Sequence, residues 1–144
     1  MELSSKSEYA LLALVELSAN HSTGDPLQIR QIATQQNIPD RYLEQLLATL
    51  RRAGLVRSQR GARGGYLLAR VPWQITLYDV VSCIEGFDLQ REPETTPKTP
   101  QGLVITEVWQ EARHAAEAVL QKYTLQDLLE RCRAKQQVDL MYYI

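Results

Sequence analysis

The sequence predicts a mainly α fold with one small β-wing, and three patterns carry that expectation. Two short helical stretches, one over 29–36 and one running from Pro39 to Ala53, are separated only by Asn37-Ile38. The segment Leu50 to Leu68, LRRAGLVRSQRGARGGYLL, joins a helix end to a glycine-rich basic hairpin. Far downstream, apolar residues recur at helical spacing from Ile105 to Tyr123, too long a stripe for a small domain to ignore.

In chain order, Ser5-Lys6-Ser7-Glu8 has the spacing of a capping box and opens a helix with Leu11, Leu12, Leu14 and Val15 as packing residues. Ile29, Ile32 and Ala33 share one face of the next helix. Asn37-Ile38 breaks it, and Pro39 suits the first turn of a third helix, where its missing N–H costs nothing. There Tyr42, Leu43, Leu46, Leu47 and Leu50 mark a buried side. Asp40, Arg41, Glu44, Gln45, Thr49 and Arg52 mark a polar outer one. Gly54 supplies the left-handed residue that ends this helix. Leu55–Arg60 and Tyr66–Arg70 read as strands, with the turn Gly61-Ala62-Arg63-Gly64-Gly65 between them. Helix, tight turn, helix with a polar face, then a basic wing describes a winged helix-turn-helix.

Thr76 caps a short helix that stops at Gly86, and Phe87–Gln101, with Pro93, Pro97 and Pro100, reads as a loop. The stripe that follows comprises Ile105, Val108, Trp109, Ala112, Ala115, Ala116, Val119, Leu120 and Tyr123. It must be buried either within one subunit or against a second copy. Thr124 caps a short last helix ending about Lys135, and the chain closes on Met141-Tyr142-Tyr143-Ile144. The expected organisation is a winged helix-turn-helix over 1–86, a loop over 87–101, and the long helix, last helix and tail over 102–144.

Net charge is −1, which gives no hint of a nucleic-acid partner, but its distribution does. Leu27 to Arg70 carries eight arginines against Asp40 and Glu44, whereas the flanking segments are both net acidic. Basic charge therefore gathers on the helix pair and wing, as a DNA-reading head requires. Arg41, Tyr42, Glu44 and Gln45 are the candidate contacts of the reading helix. Glu44 suits cytosine N4, Gln45 suits adenine edges, and Tyr42 lies near the buried face with its hydroxyl free for phosphate. Ser58, Arg60, Arg63 and Tyr66 are the wing candidates, Arg60 or Arg63 being suited to a narrow minor groove.

Other classes fit poorly. Only His21 and His114 are present, each isolated, and no nucleophile elbow, P-loop or metal-binding helix motif occurs, so catalysis is not expected. Cys83 and Cys132 match neither a disulfide scaffold nor a paired-cysteine metal site. No apolar run reaches membrane-spanning length and no secretion signal opens the chain, so a cytoplasmic protein without a membrane partner is expected.

The chain resembles the Rrf2 family of bacterial transcriptional regulators along nearly its whole length. The resemblance is carried by MELSSKSEYA over 1–10, IPDRYLEQL over 38–46, LRRAGLV over 50–56, RGARGGY over 60–66 and DVVSCIEG over 79–86. It implies a homodimer on a palindromic double-stranded operator, most often as a repressor. The long helix would be the dimerisation helix, with Ile105, Val108, Trp109, Ala112, Ala116 and Val119 at the interface.

Many relatives hold an iron–sulfur cluster on three cysteines before that helix, ending in a Cys-x-x-His-x-x-Trp pattern. This chain keeps Trp109 but has Leu103 and Thr106 at the cysteine and histidine places, and no cysteine between Phe87 and Gly102. Glu8, an oxygen ligand in some relatives, cannot hold a cluster alone. No metal or other cofactor is therefore expected. The alternative is an iron–sulfur or thiol redox sensor, for which Cys132, between Arg131 and Arg133, is the candidate thiol.

The wing turn, the cysteine-free loop, Thr124-Leu125-Gln126-Asp127-Leu128 and the final four residues narrow the resemblance to the branch that represses cysteine metabolism. That branch answers to cysteine synthase, which would capture the Ile144 carboxylate with Tyr142 and Tyr143 beside it. One feature of the branch, a cysteine in the loop after the first helix, is absent from His21–Pro26. The competing reading folds Leu140–Ile144 back on the dimer as an apolar clasp.

Overall fold

The computed structural model describes residues 3–86 and 98–142. Helix α1 (Ser5–Ala19) is capped one residue earlier than the Ser5 spacing implies: the Ser4 hydroxyl accepts from the Ser7 amide at 3.1 Å. Its sealed side is Ser7, Ala10, Ala13, Leu14 and Leu17, while Leu11 and Leu12 pack only at the core's edge. Small alanines on that side let other helices approach closely, a signal that large apolar residues do not give.

A single 3₁₀ turn (His21–Thr23) leads to α2 (Ile29–Gln36). Asn37 ends α2 in the left-handed region at φ 54°, and its amide bonds back to the Ala33 carbonyl. Helix α3 (Asp40–Arg52) starts one residue after the expected point. Pro39 is its cap rather than a first-turn residue, because its extended ψ of 132° places it outside the helix while its carbonyl accepts from Leu43 at 3.1 Å. The exit is as predicted. Gly54 sits at φ 78°, its amide bonds to Arg51, and the Leu55 amide bonds to Leu50, the paired closure of a Schellman motif.

The wing strands β1 (Val56–Gln59) and β2 (Gly65–Leu68) pair antiparallel, Val56 opposite Leu68 and Gln59 opposite Gly65. Both are shorter than the sequence suggests, since Leu55, Arg60, Ala69 and Arg70 lie outside the ladder. Leu27 and Tyr66 exchange both backbone hydrogen bonds, at 3.0 and 2.8 Å, tying the start of α2 to the wing. Gly65 permits this, because a Cβ there would collide with the Leu27 carbonyl.

After a second 3₁₀ turn (Pro72–Gln74), α4 (Leu77–Glu85) is held by a reciprocal box: Asp79 N–H to the Thr76 hydroxyl at 3.1 Å, and Thr76 N–H to the Asp79 carboxylate at 2.9 Å. Gly86 closes it at φ 71°. Most of the expected 87–101 loop lies outside the described residues, and its last two belong to α5 (Pro100–Lys122), capped by Thr99. At 23 residues α5 is about 34 Å long.

Helix α6 (Leu125–Tyr142) corrects the expected short last helix. It continues through Ala134, Lys135, Gln136 and Gln137, good helix formers with no glycine or proline to stop them, so Met141 and Tyr142 are helical rather than tail. Its first turn enters the core: Leu125 is fully buried and its amide bonds to the Ile75 carbonyl at 2.9 Å. The core itself is Leu14, Ile32, Leu43, Leu47, Leu50, Ile75, Val80 and Leu125. Helix α5 has no buried residue. No helix among the described residues is long and apolar enough to cross a membrane.

Candidate nucleic-acid interface

Helix α3 is set by four buried leucines, Leu43, Leu46, Leu47 and Leu50, which leave Arg41, Glu44 and Gln45 facing solvent together. Tyr42 departs from expectation. The residue is 50% exposed and its ring leans on Tyr9 of α1, centroids 6.2 Å apart and planes at 57°. It is a buttressed surface residue, not part of the core. Tyr9 escaped the sequence reading because a tyrosine in a helical pattern looks like ordinary packing.

The two flanks of α3 meet different neighbours. Glu44 and Arg51, two turns apart on one stripe, face the wing side, where the Arg51 guanidinium donates to the Ser58 hydroxyl at 3.4 Å. Ser58 is opposite Tyr66 in the ladder, and Tyr66 is half-buried against the core, so the wing's base is anchored. The tip is not: Arg60 and Arg63 are both exposed. Gly61, at φ 115°, takes the tip through a turn closed by Gly64 N–H to the Gly61 carbonyl at 2.9 Å. Two arginines on a narrow, almost side-chain-free tip form a shape and charge that fit a DNA groove.

The N-terminus of α1 is tied to the end of α4. Glu85 accepts from the hydroxyls of Ser7, at 2.8 Å, and Ser4, and these bonds hold its carboxyl below the usual carboxylate range. The residues belong to two stretches, 1–10 and 79–86, that the sequence could not bring together.

The two cysteines lie on separate helices, α4 and α6. Cys83 is half-buried behind α3, its sulfur 4.0 Å from the Thr49 carbonyl, and burial pushes its thiol up against the opposing pull of Arg52. Cys132 is exposed on α6. Among the described residues no group of three histidines, cysteines or carboxylates converges as metal ligands would.

The long-helix candidates are in solvent. Ile105 and Trp109 are each 69% exposed, Val108, Ala112 and Val119 are exposed, and Ala116 is half-covered. Leu103 and Val104, outside the expected stripe, are also exposed. Tyr142 is 89% exposed, whereas Tyr143 and Ile144 lie outside the described residues. His21 and Trp73 stand edge to face, centroids 6.5 Å apart, and His114 is exposed on α5.

Residues 3–131 match the Rrf2 family, described as an iron-dependent transcriptional regulator. The HTH-type transcriptional regulator CymR of Bacillus subtilis is 35% identical over 146 residues, 99% of each chain. A solved structure of CymR, described as the global cysteine regulator of B. subtilis, superimposes with a TM-score of 0.78 at 36% identity, covering 91% of this chain and 98% of that one. The structure of T. potens IscR does so with a TM-score of 0.78 at 34% identity, covering 94% and 91%. The matches are regulators, not enzymes.

Proposed function

The chain belongs to the Rrf2 family of transcriptional regulators, and we propose that it acts as a homodimeric, cluster-free repressor that binds a partly palindromic DNA duplex. The observation that carries this is the solvent face of α3, with Arg41, Glu44 and Gln45 outward, set beside a wing whose tip presents Arg60 and Arg63. Helix α3 enters the major groove, Glu44 and Gln45 read base edges, Tyr42 and Ser58 contact backbone, and the wing arginines take phosphates or the adjacent minor groove. Tyr66 holds the wing's base in place. The dimer forms through Ile105, Val108, Trp109, Ala112, Ala116 and Val119, spacing the two reading heads by about one helical turn or a multiple of it.

The test is selection of bound fragments from genomic DNA, then titration of one fragment at several salt concentrations. An inverted repeat should emerge, and alanine at Arg60 and Arg63 together should weaken binding to all sequences and flatten the salt dependence. Failure to enrich any fragment would contradict the reading.

The likeness to CymR supports a finer assignment, control of cysteine metabolism through cysteine synthase. In it the Ile144 carboxylate enters the enzyme's substrate-carboxylate site, and Tyr142 and Tyr143 add contact area. Helix α6 carries Tyr142 into solvent, which leaves it free to be captured. Calorimetry of cysteine synthase against the full chain and against a chain lacking Tyr143 and Ile144 tests this. Heat that vanishes with the deletion is expected; equal affinity would remove the tail from the partner site.

The family's iron-dependent description and the likeness to IscR favour a second reading, an iron–sulfur sensor. Against it stand two cysteines placed on separate helices and a 87–97 segment with neither cysteine nor histidine. Visible absorption with stoichiometric iron in anaerobically purified protein would reverse the assignment.

A further inference from the structure

The flank of α3 away from the wing carries Tyr42, Gln45, Leu46 and Thr49, spaced as one stripe of a helix. Across it stands the N-terminal half of α1, and between the two lies a cleft of about 130 Å³ lined by Lys6, Tyr42, Gln45, Leu46, Thr49 and Ile84. One turn further along α1, Tyr9 supports the Tyr42 ring. Lys6 is exposed and is the only lysine or arginine in residues 1–26, a segment otherwise acidic. Its neighbour Glu85 accepts from the Ser4 and Ser7 hydroxyls, which bind it more strongly than the weaker pull of the exposed Lys6 ammonium.

We propose that Lys6 is a phosphate contact of the DNA interface and Tyr9 the positioning residue that holds Tyr42 beside it. The inference rests on the reading of α3 as the groove-entering helix. A helix lying in the major groove has a sugar-phosphate strand along each side. The wing supplies cations on the Arg51 side. On the other side the only cation lining the cleft is Lys6, which shares it with Gln45. A compact ammonium on a flexible stem suits a phosphate oxygen and carries no base preference. The interface is then clamped on both strands, by the wing from one flank and by α1 from the other.

The test uses the full chain and a short random-sequence duplex, so that no operator is needed. Affinity is measured across a range of salt for wild type, Lys6→Gln, Lys6→Arg and Arg60→Ala. Lys6 is exposed, so these substitutions leave the core intact. Loss of one phosphate contact should reduce the slope of log affinity against log salt by about 0.9 per protomer. Lys6→Gln is expected to show that reduction, Lys6→Arg to retain the wild-type slope, and Tyr9→Leu to weaken binding with the Lys6 contribution still present. An unchanged slope in Lys6→Gln, with a reduced one in Arg60→Ala, would overturn the role of α1 while leaving the wing in place. Unchanged slopes in both, or no binding by wild type, would overturn the nucleic-acid reading itself.

Discussion

Leu43 and Leu47 on α3 repeat at the same helical spacing as Ile105 and Trp109 on α5, yet the first pair is sealed in the core and the second stands in solvent. Within the head, α1, α3, α4 and the start of α6 cover one another's apolar sides, and Leu125 arrives from far along the chain to close the last gap. Helix α5 touches α4, but none of its residues is buried. Apolar periodicity announces that a helix has a face to bury; it does not say whether the covering surface belongs to the same chain. An exposed stripe on a 23-residue helix is a large apolar area for a monomer to leave in water, which is why a second copy is proposed to cover it.

The largest effect that sharpens this contrast is a pair of truncations. Leu47→Ala should cost about 2–5 kcal/mol of unfolding free energy, because it opens a cavity among fully buried neighbours. Val108→Ala should leave the unfolding of an isolated subunit nearly unchanged and act on dimer dissociation instead. Urea titration at several protein concentrations separates the two. Similar losses, independent of concentration, would mean that α5 is packed within its own subunit.

A smaller effect separates reading from clamping inside the head. Glu44→Ala should change which sequence is preferred, by about 1–3 kcal/mol per base pair, with little loss on random DNA. Competition between a selected fragment and random duplex measures this. Equal loss on both would move Glu44 out of base readout.

The smallest concerns the bond between the head's two ends. Glu85 titrates below its ordinary value when folded, so its stabilising contribution is present above the unfolded carboxylate range and lost as pH falls through the lowered folded value. Thermal melts of Glu85→Gln should fall slightly below wild type at neutral pH and converge with it in acid. The group is exposed, so the difference is expected to be small.

Much of the head was legible from residue patterns. Gly54 predicted its helix end because a left-handed residue after Leu50-Arg51-Arg52-Ala53 has few other uses, and Thr76 and Thr124 predicted their caps through Asp79 and Asp127. The misses share one cause: long-range contact. Tyr42 was placed near the core because its spacing fits the stripe, whereas Tyr9, 33 positions earlier, decides where its ring rests. Ser4, Ser7 and Glu85 meet across most of the head, and no local pattern reports that. The extent of α6 was underestimated for a different reason. Helix-forming residues continue past Lys135 without a stop signal, and an aromatic ending by itself reads as a tail although the helix runs through Tyr142.

The central claim, that the α5 stripe is completed by a second copy and that operator binding depends on it, is tested by one measurement. Light scattering is performed on wild type, Ala112→Glu and Ala116→Glu, each checked for a native circular dichroism spectrum and then offered a selected DNA fragment. A carboxylate without a partner in an apolar seam is costly. Wild type should have the mass of a dimer and bind, whereas both variants should be folded monomers that do not bind the fragment tightly. Intact dimers in both variants, binding as wild type does, would contradict the account.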